Sequence, residues 1–272
     1  MTQESVGTLL RDWRQRRRLT QMDLALDADV SPRHLSFVET GRAQPSREML
    51  LHLSEELEIP LRERNALLVA GGFAPMYRER GLDDAALGKA REAIELVLAA
   101  QRPFPAFALD RRWNIAASND ALPELYEGVS PLLMKHPVNA LRLSLHPQGL
   151  APRIENLAVW RSHLLGRLHR QVEQTGDPAL RTLLEEVTAY PGDKTEFPAH
   201  DAVLVPLVLR SSLGRLTLFS TTTVFGSPVD VTLAELAIEM FFAADEATAT
   251  AVRRSAPGPD PGTFLAATGH GL

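Results

Sequence analysis

Cysteine is absent from this 272-residue chain, which excludes disulfides, thiolate metal sites and a cysteine nucleophile. No apolar run approaches the ~20 residues of a transmembrane helix, and no N-terminal stretch resembles a signal peptide. The expectation is a soluble, cytoplasmic protein with no membrane partner. Catalytic signatures are missing as well. There is no H-E-x-x-H, no G-x-S-x-G and no glycine-rich phosphate loop. His136, His146, His163, His169 and His200 are scattered along the chain. His169 and Glu173 share a helix face at i,i+4, but the spacing supplies no third ligand, so the pair reads as solvent-exposed. Neither an enzyme nor a metal site is expected.

What is present is long enough for two domains, and at 44% hydrophobic residues it can bury a sizeable core. The most informative stretch is LTQMDLALDADVSPRHLSFVETG, residues 19–41. Leu24 and Ala28 share one helical face at i,i+4, and Leu35 and Val38 share another at i,i+3. Val30 falls between them, and Ala25 is small where two backbones would approach. One continuous helix does not fit this spacing; two short helices across a tight turn do. Thr20 with Asp23 forms a weak capping box before the first helix. Ser31-Pro32 reads as N-cap and first-turn proline for the second, and Gly41 stops it. Asp29 stands where such a turn most often has glycine, and aspartate tolerates left-handed backbone.

The flanks complete a small all-helical domain. Val6, Leu9, Leu10 and Trp13 form one amphipathic stripe. Met49, Leu50, Leu53 and Leu57 form another, opened by Ser46, and a fifth helix runs over residues 61–70 to Gly71-Gly72. The matching residues are Arg14, Thr20-Gln21, Ala25, Val30-Ser31, Leu35 and Val38-Glu39-Thr40-Gly41. On these the chain resembles the xenobiotic-response-element class of bacterial helix-turn-helix regulators, related to the lambdoid phage repressors. The resemblance covers roughly residues 5–70. It implies a five-helix lambda-repressor-like fold whose second motif helix lies in the DNA major groove.

The resemblance also assigns roles. Gln21 would hold a phosphate from the first motif helix. Ser31, Pro32, Arg33 and Phe37 would face the groove floor, and His34, Ser36 and Arg42 the backbone. Arg33 would read a guanine edge or hold a phosphate; Phe37 or Pro32 would touch a thymine methyl, or Phe37 would pack against the first helix. Arg14 and Glu39 would form a buried structural ion pair. Arg16, Arg17 and Arg18 are either a solvated charge run or an attraction for phosphates. Through Pro75, ten arginines and no lysine stand against eleven acids. Basic character must therefore be a local face, with dimerisation supplying affinity.

Residues 76–100 read as a linker and connecting helix, and 101–254 as a second domain. Strands are expected at 106–109 and 113–117, a short helix from Asn119 to Tyr126, helices at 152–174 and 179–189, and a hairpin of 202–210 with 213–225 about Ser211-Ser212. Residues 231–242 alternate like a strand although their composition favours helix; the strand is preferred, with a helix from about Ala244. The Pro/Gly-rich tail, 255–272, is expected to be disordered.

This order is that of an antiparallel sheet covered by helices, a PAS-like α+β fold. Pro105-Ala106-Phe107, residues 109–120, 138–147 and 230–249 resemble the MmyB-like ligand-binding domain. A proline that often precedes the Ala-Asp pair there is Ala243 in this chain. The resemblance implies an apolar pocket and a bound fatty-acid-like ligand rather than a cofactor. Candidate wall residues are Phe107, Trp113, Trp160, Phe219 and Met240; candidate polar anchors are Asn119, Arg161 and His163, with helix capping the alternative for Asn119. The expected protein is a transcriptional repressor. It would bind a palindromic double-stranded operator as a homodimer and sense a small apolar ligand. The alternative is the same regulator with a second domain that only dimerises or docks another protein.

Overall fold

The computed structural model describes residues 4–121, 123–192, 204–226 and 228–255. The N-terminal part is five helices: α1 (Val6–Arg16), α2 (Gln21–Asp27), α3 (Pro32–Glu39), α4 (Arg47–Glu56) and α5 (Leu61–Ala70). Ser5, Thr20, Ser31 and Ser46 cap four of them, each accepting the backbone N–H three residues on. Asp23 returns the bond to Thr20, completing a capping box. All five helices end alike. The N–H groups of Leu19, Val30, Arg42, Ile59 and Phe73 reach back to the carbonyls of Arg14, Ala25, Phe37, Ser54 and Leu68. The residue before each donor is left-handed: Arg18, Asp29, Gly41, Glu58 and Gly72, with φ from 47° to 84°. A search for glycine stops finds two of these ends and passes over the other three.

The stripes read from the sequence meet in one core. Leu10, Trp13, Leu24, Ala25, Leu35, Val38, Leu50, Leu53, Leu57, Leu67 and Leu68 are buried together. Each leucine so buried contributes about 1.5–3 kcal/mol. Gly7 lets α1 cross α3 closely. A Cβ there would overlap the carbonyl oxygens of Val38 and Glu39, the latter at 2.8 Å.

The remainder is α+β. After α6 (Gly88–Ala100) come β1 (Ala106–Leu109) and β2 (Ile115–Ser118), then α7 (Ala140–Leu145), α8 (Leu157–Thr175) and α9 (Pro178–Thr188). β3 (Leu207–Ser211) and β4 (Gly214–Val224) form the expected hairpin, followed by α10 (Val231–Ala234), β5 (Ala237–Ala243) and α11 (Glu246–Ser255). The antiparallel sheet runs β2-β1-β5-β4-β3, which gives the expected α+β domain a strand order that the sequence did not supply. Ile154 pairs with Leu209 at the outer edge of β3. Asn156 there accepts the Val208 N–H and donates to the Pro206 carbonyl.

Several expectations change in detail: the helix expected from 152 begins at Leu157, behind the 3-10 turn Ala151–Arg153, and the first hairpin strand begins at Leu207. Residues 231–242 are neither all strand nor all helix: Asp230 accepts the Thr232 N–H and caps the single turn of α10 before β5 begins at Ala237. The second strand begins at Ile115, because Asp110 accepts the N–H groups of Arg112 and Asn114 and curls the chain, leaving Trp113 left-handed at φ 66°. Asn119 opens no helix; a 3-10 turn spans Pro123–Tyr126. Ser255, placed in the tail, is the last residue of α11. Residues 202, 203 and 256–272 lie outside the described ones.

By contacts, two compact units emerge. Taking the described residues alone, one lies within Met1–Glu92, Arg167–Leu184 and Val224–Ala237, and the other within Ala93–Gly166, Glu185–Thr223 and Ile238–Leu272.

Candidate nucleic-acid interface and ligand site

The Ser31 cap and Pro32 begin α3 so that its first turn stands free of the core. Ser31, Pro32, Arg33 and His34 are exposed, and Ser36 and Phe37 are half-buried, while Leu35 and Val38 face inward. Arg33 and Phe37, one turn apart, pair directly: the guanidinium lies 5.4 Å from the ring centroid. This holds a cation along the outer face of the helix. Arg42 is exposed just beyond Gly41.

The seat of α3 is built from Glu39, whose side chain is wholly buried. Arg14 Nε and Nη2 donate to its two carboxylate oxygens at 2.7 and 2.9 Å. Gln21 Nε2 donates to the same carboxylate at 2.7 Å, so this side chain braces α2 against α3. Arg11 donates to the Glu39 carbonyl at 3.1 Å. Burial pushes the Glu39 carboxyl up, but the bonds from Arg14 and Gln21 and the charges of Arg14 and Arg11 outweigh it, leaving it below the ordinary value. The arginine run is also engaged. Arg17 donates to the carbonyls of Leu57 and Glu58 at the end of α4, and Arg16 and Arg17 both lie over the Trp13 ring. Arg17 is packed at the end of α4, while Arg16 and Arg18 stay exposed.

In the sheet domain the candidate ligand residues separate. Phe107 packs on Phe241, with centroids 5.9 Å apart. Phe219 stacks on Phe242 at 5.3 Å. Side chains alternate along a strand, so Phe107 and Phe241 occupy one face of the sheet, and Phe219, Met240 and Phe242 the other. Ser220 and Thr222 donate to Glu239 on the Phe241 face. An apolar depression on that face is bounded by Leu216 and Leu218 of β4, with Pro103, Pro105, Leu125, Leu213 and Val252. None of the eight candidates lines this depression. Trp160 donates to Ser144 Oγ and stacks on His163.

The polar candidates are tied to backbone. Asn119 accepts the Ala106 N–H and donates to the carbonyls of Leu98 and Phe104, joining α6 to β1. Arg161 donates to the carbonyls of Val187, Thr188, Tyr190 and Pro191 at the end of α9. Neither presents a free polar group to a ligand. His169 and Glu173 approach to 3.4 Å on an exposed face. Among the described residues no group of three or more histidines or carboxylates is placed to hold a metal ion. No described helix is long and apolar enough to cross a membrane.

A sequence profile for the MmyB-like transcription regulator ligand binding domain matches residues 90–254. The chain belongs to the MmyB-like transcription regulators. A helix-turn-helix domain profile matches residues 5–67, so this MmyB-like protein is a transcription regulator with a DNA-binding domain followed by a ligand-binding domain. The helix-turn-helix part is also similar to multiprotein-bridging factor 1 of Candida albicans. The identity is 36% over 61 residues, 22% of this chain, and the match spans 40% of that relative.

One polar cluster was invisible to motif reading. Within the first compact unit of this MmyB-like regulator, Arg62 of α5 donates to both carboxylate oxygens of Glu235, at 2.8 and 2.9 Å, and to Glu79. Arg80 donates to buried Asp230 at 2.8 Å, and the Val231 N–H donates to the Arg78 carbonyl. Asn65 pins the intervening loop through Met76 and Tyr77. Glu235 and Asp230 lie in the β4–β5 connection, inside the family's ligand-binding sequence yet packed with the DNA-binding helices. No signal in the sequence ties residues 173 positions apart.

Proposed function

We propose that this protein is a homodimeric repressor of a palindromic operator whose C-terminal domain senses a small apolar, fatty-acid-like ligand. The observation that carries the reading is the clamp of α5 onto the β4–β5 connection. β5 leaves that connection and enters the sheet, so a ligand that shifts the sheet strains or relaxes the seat of the DNA-binding helices. A dimer would present its two α3 helices about 34 Å apart in successive major grooves. The ligand changes operator affinity to the extent that it binds the two arrangements unequally.

Native mass spectrometry of the purified protein tests this. The expected spectrum is a dimer retaining about one lipid-like molecule per subunit. A dimer that stays empty when offered fatty acids would favour the docking-domain alternative, and a monomer would overturn the operator geometry. For the DNA half, Arg33→Ala is expected to weaken operator binding by roughly 1–3 kcal/mol and to relax preference at one base pair. Equal weakening on every sequence would make Arg33 a phosphate contact. For the coupling, Glu235→Ala is expected to leave operator affinity of the ligand-free protein within a few-fold of wild type and to abolish the ligand-dependent change. A full ligand response in Glu235→Ala would route coupling elsewhere.

A further inference from the structure

Arg11, Arg14 and Arg17 spend their guanidinium groups inside the helical domain, on Glu39 and on the carbonyls of Glu39, Leu19, Leu57 and Glu58. Arg33 does not. Among the described residues it donates no hydrogen bond and joins no ion pair, and its guanidinium lies over the Phe37 ring. Phe37 is half-buried, yet it is not one of the apolar side chains packed against the core that Leu35 and Val38 enter. Interior packing therefore does not account for an aromatic at this position. The backbone beneath the ring is fixed, because the Phe37 carbonyl accepts the N–H groups of Arg42 and Ala43 at 2.7 and 3.1 Å where α3 ends.

A long side chain loses rotamer freedom when it docks, and a contact that restricts it beforehand reduces that cost. The Phe37 ring does this one helical turn away from Arg33, through the attraction of a cation for a ring face. That attraction uses the charge and leaves the N–H donors unspent. The donors stand in a rigid fork that matches O6 and N7 of guanine. We infer that Phe37 is a positioning residue that aims Arg33 at one guanine edge, so that ring and guanidinium read that base pair as a unit. The inference rests on the DNA-reading role of α3 proposed above. It chooses guanine over phosphate for Arg33, and aiming over a separate thymine contact for Phe37. A phosphate is attracted by charge from many directions and gains little from an aimed fork, whereas a base edge requires one.

The test selects an operator from a random pool of double-stranded DNA with the full-length wild-type protein. Affinity is then measured for that operator and for each of its single-base-pair substitutions. Arg33→Ala is expected to mark the guanine by abolishing preference at one pair. Phe37→Leu keeps apolar bulk without a ring; it is expected to lower operator affinity about tenfold and to erase preference at that same pair. The double variant is expected to bind no more weakly than Arg33→Ala alone, since the second change removes an aim that no longer matters. Phe37→Tyr, which keeps the ring, is expected to keep the guanine preference. Misfolding weakens binding to every sequence alike, so the lost preference is the readout and not the lost affinity. Phe37→Leu that keeps preference at the Arg33 pair, or loses it at a different pair, would overturn the inference and leave the DNA-reading role standing. Equal weakening of all sequences by Arg33→Ala would do the same. Failure of wild type to enrich any sequence would overturn that role and the inference together.

Discussion

Glu39→Ala is expected to destabilise the helix-turn-helix domain by about 3–5 kcal/mol, the range for removing one partner of a buried ion pair. The substitution leaves Arg14, itself only 9% exposed, without its counter-charge. It also strips Gln21 of its acceptor and leaves a void between α1, α2 and α3. Against a domain stability of roughly 5–15 kcal/mol, that loss is a large share. Thermal or urea unfolding followed by helical circular dichroism reads it directly, and a melting curve superimposable on wild type would deny the pair any stabilising role. The effect has a pH signature. Because the native Glu39 carboxyl is held below its ordinary value near 4.3, its contribution is fully present above about pH 4.3. It is lost as pH falls through the lower native value. The gap between wild type and Glu39→Ala is therefore expected to be full at pH 7 and to close in acid. A gap that persists unchanged to pH 3 would trace the loss to the void rather than to charge.

Gly7→Ala is expected to be the most damaging of the single-methyl changes, costing about 1–3 kcal/mol or more as overpacking against atoms that cannot swing aside. The added Cβ meets the carbonyl oxygens of Val38 and Glu39, which are backbone and hold the end of α3. Alanine would favour the α1 helix by itself, since glycine is about 1 kcal/mol the poorer helix former; the predicted sign is therefore opposite to the one propensity gives. Pushing α1 outward also draws Arg14 away from Glu39. Operator affinity should fall with stability, because the same contact positions α3, the proposed recognition helix. A variant as stable as wild type would show that the two helices part at little cost.

The two domains differ in how much of them could be read in advance. The helix-turn-helix was legible because its determinants are short-range. Ser31 reaches only to His34, Thr20 only to Asp23, and Leu24 with Ala28 defines a face within one turn of helix. Even the resemblance-based placement of Arg14 beside Glu39 needed just one local frame, the crossing of α1 and α3. The ligand domain was legible as a series of elements and not as a site. Phe107 and Phe219 both looked like wall residues, yet the alternation of strands and the pairing of β5 between β1 and β4 put them on opposite faces. Nothing in their own neighbourhoods could have said so.

By itself, then, the sequence determined the caps, the helix periods, the β3–β4 hairpin to within one residue of its turn at Ser212-Leu213 and the absence of thiol chemistry, all of which depend on residues within a few positions of one another. Tertiary structure alone decided which polar groups remain free. Asn119 and Arg161 were taken up by backbone carbonyls brought to them from distant segments, whereas Arg153 Nε and the Tyr126 hydroxyl find no acceptor among the described residues. It also decided the clamp of Arg62 on Glu235. The reason is the same in each case: a hydrogen bond is settled by distance in space, and the folded core sets that distance only after elements far apart in the chain have packed.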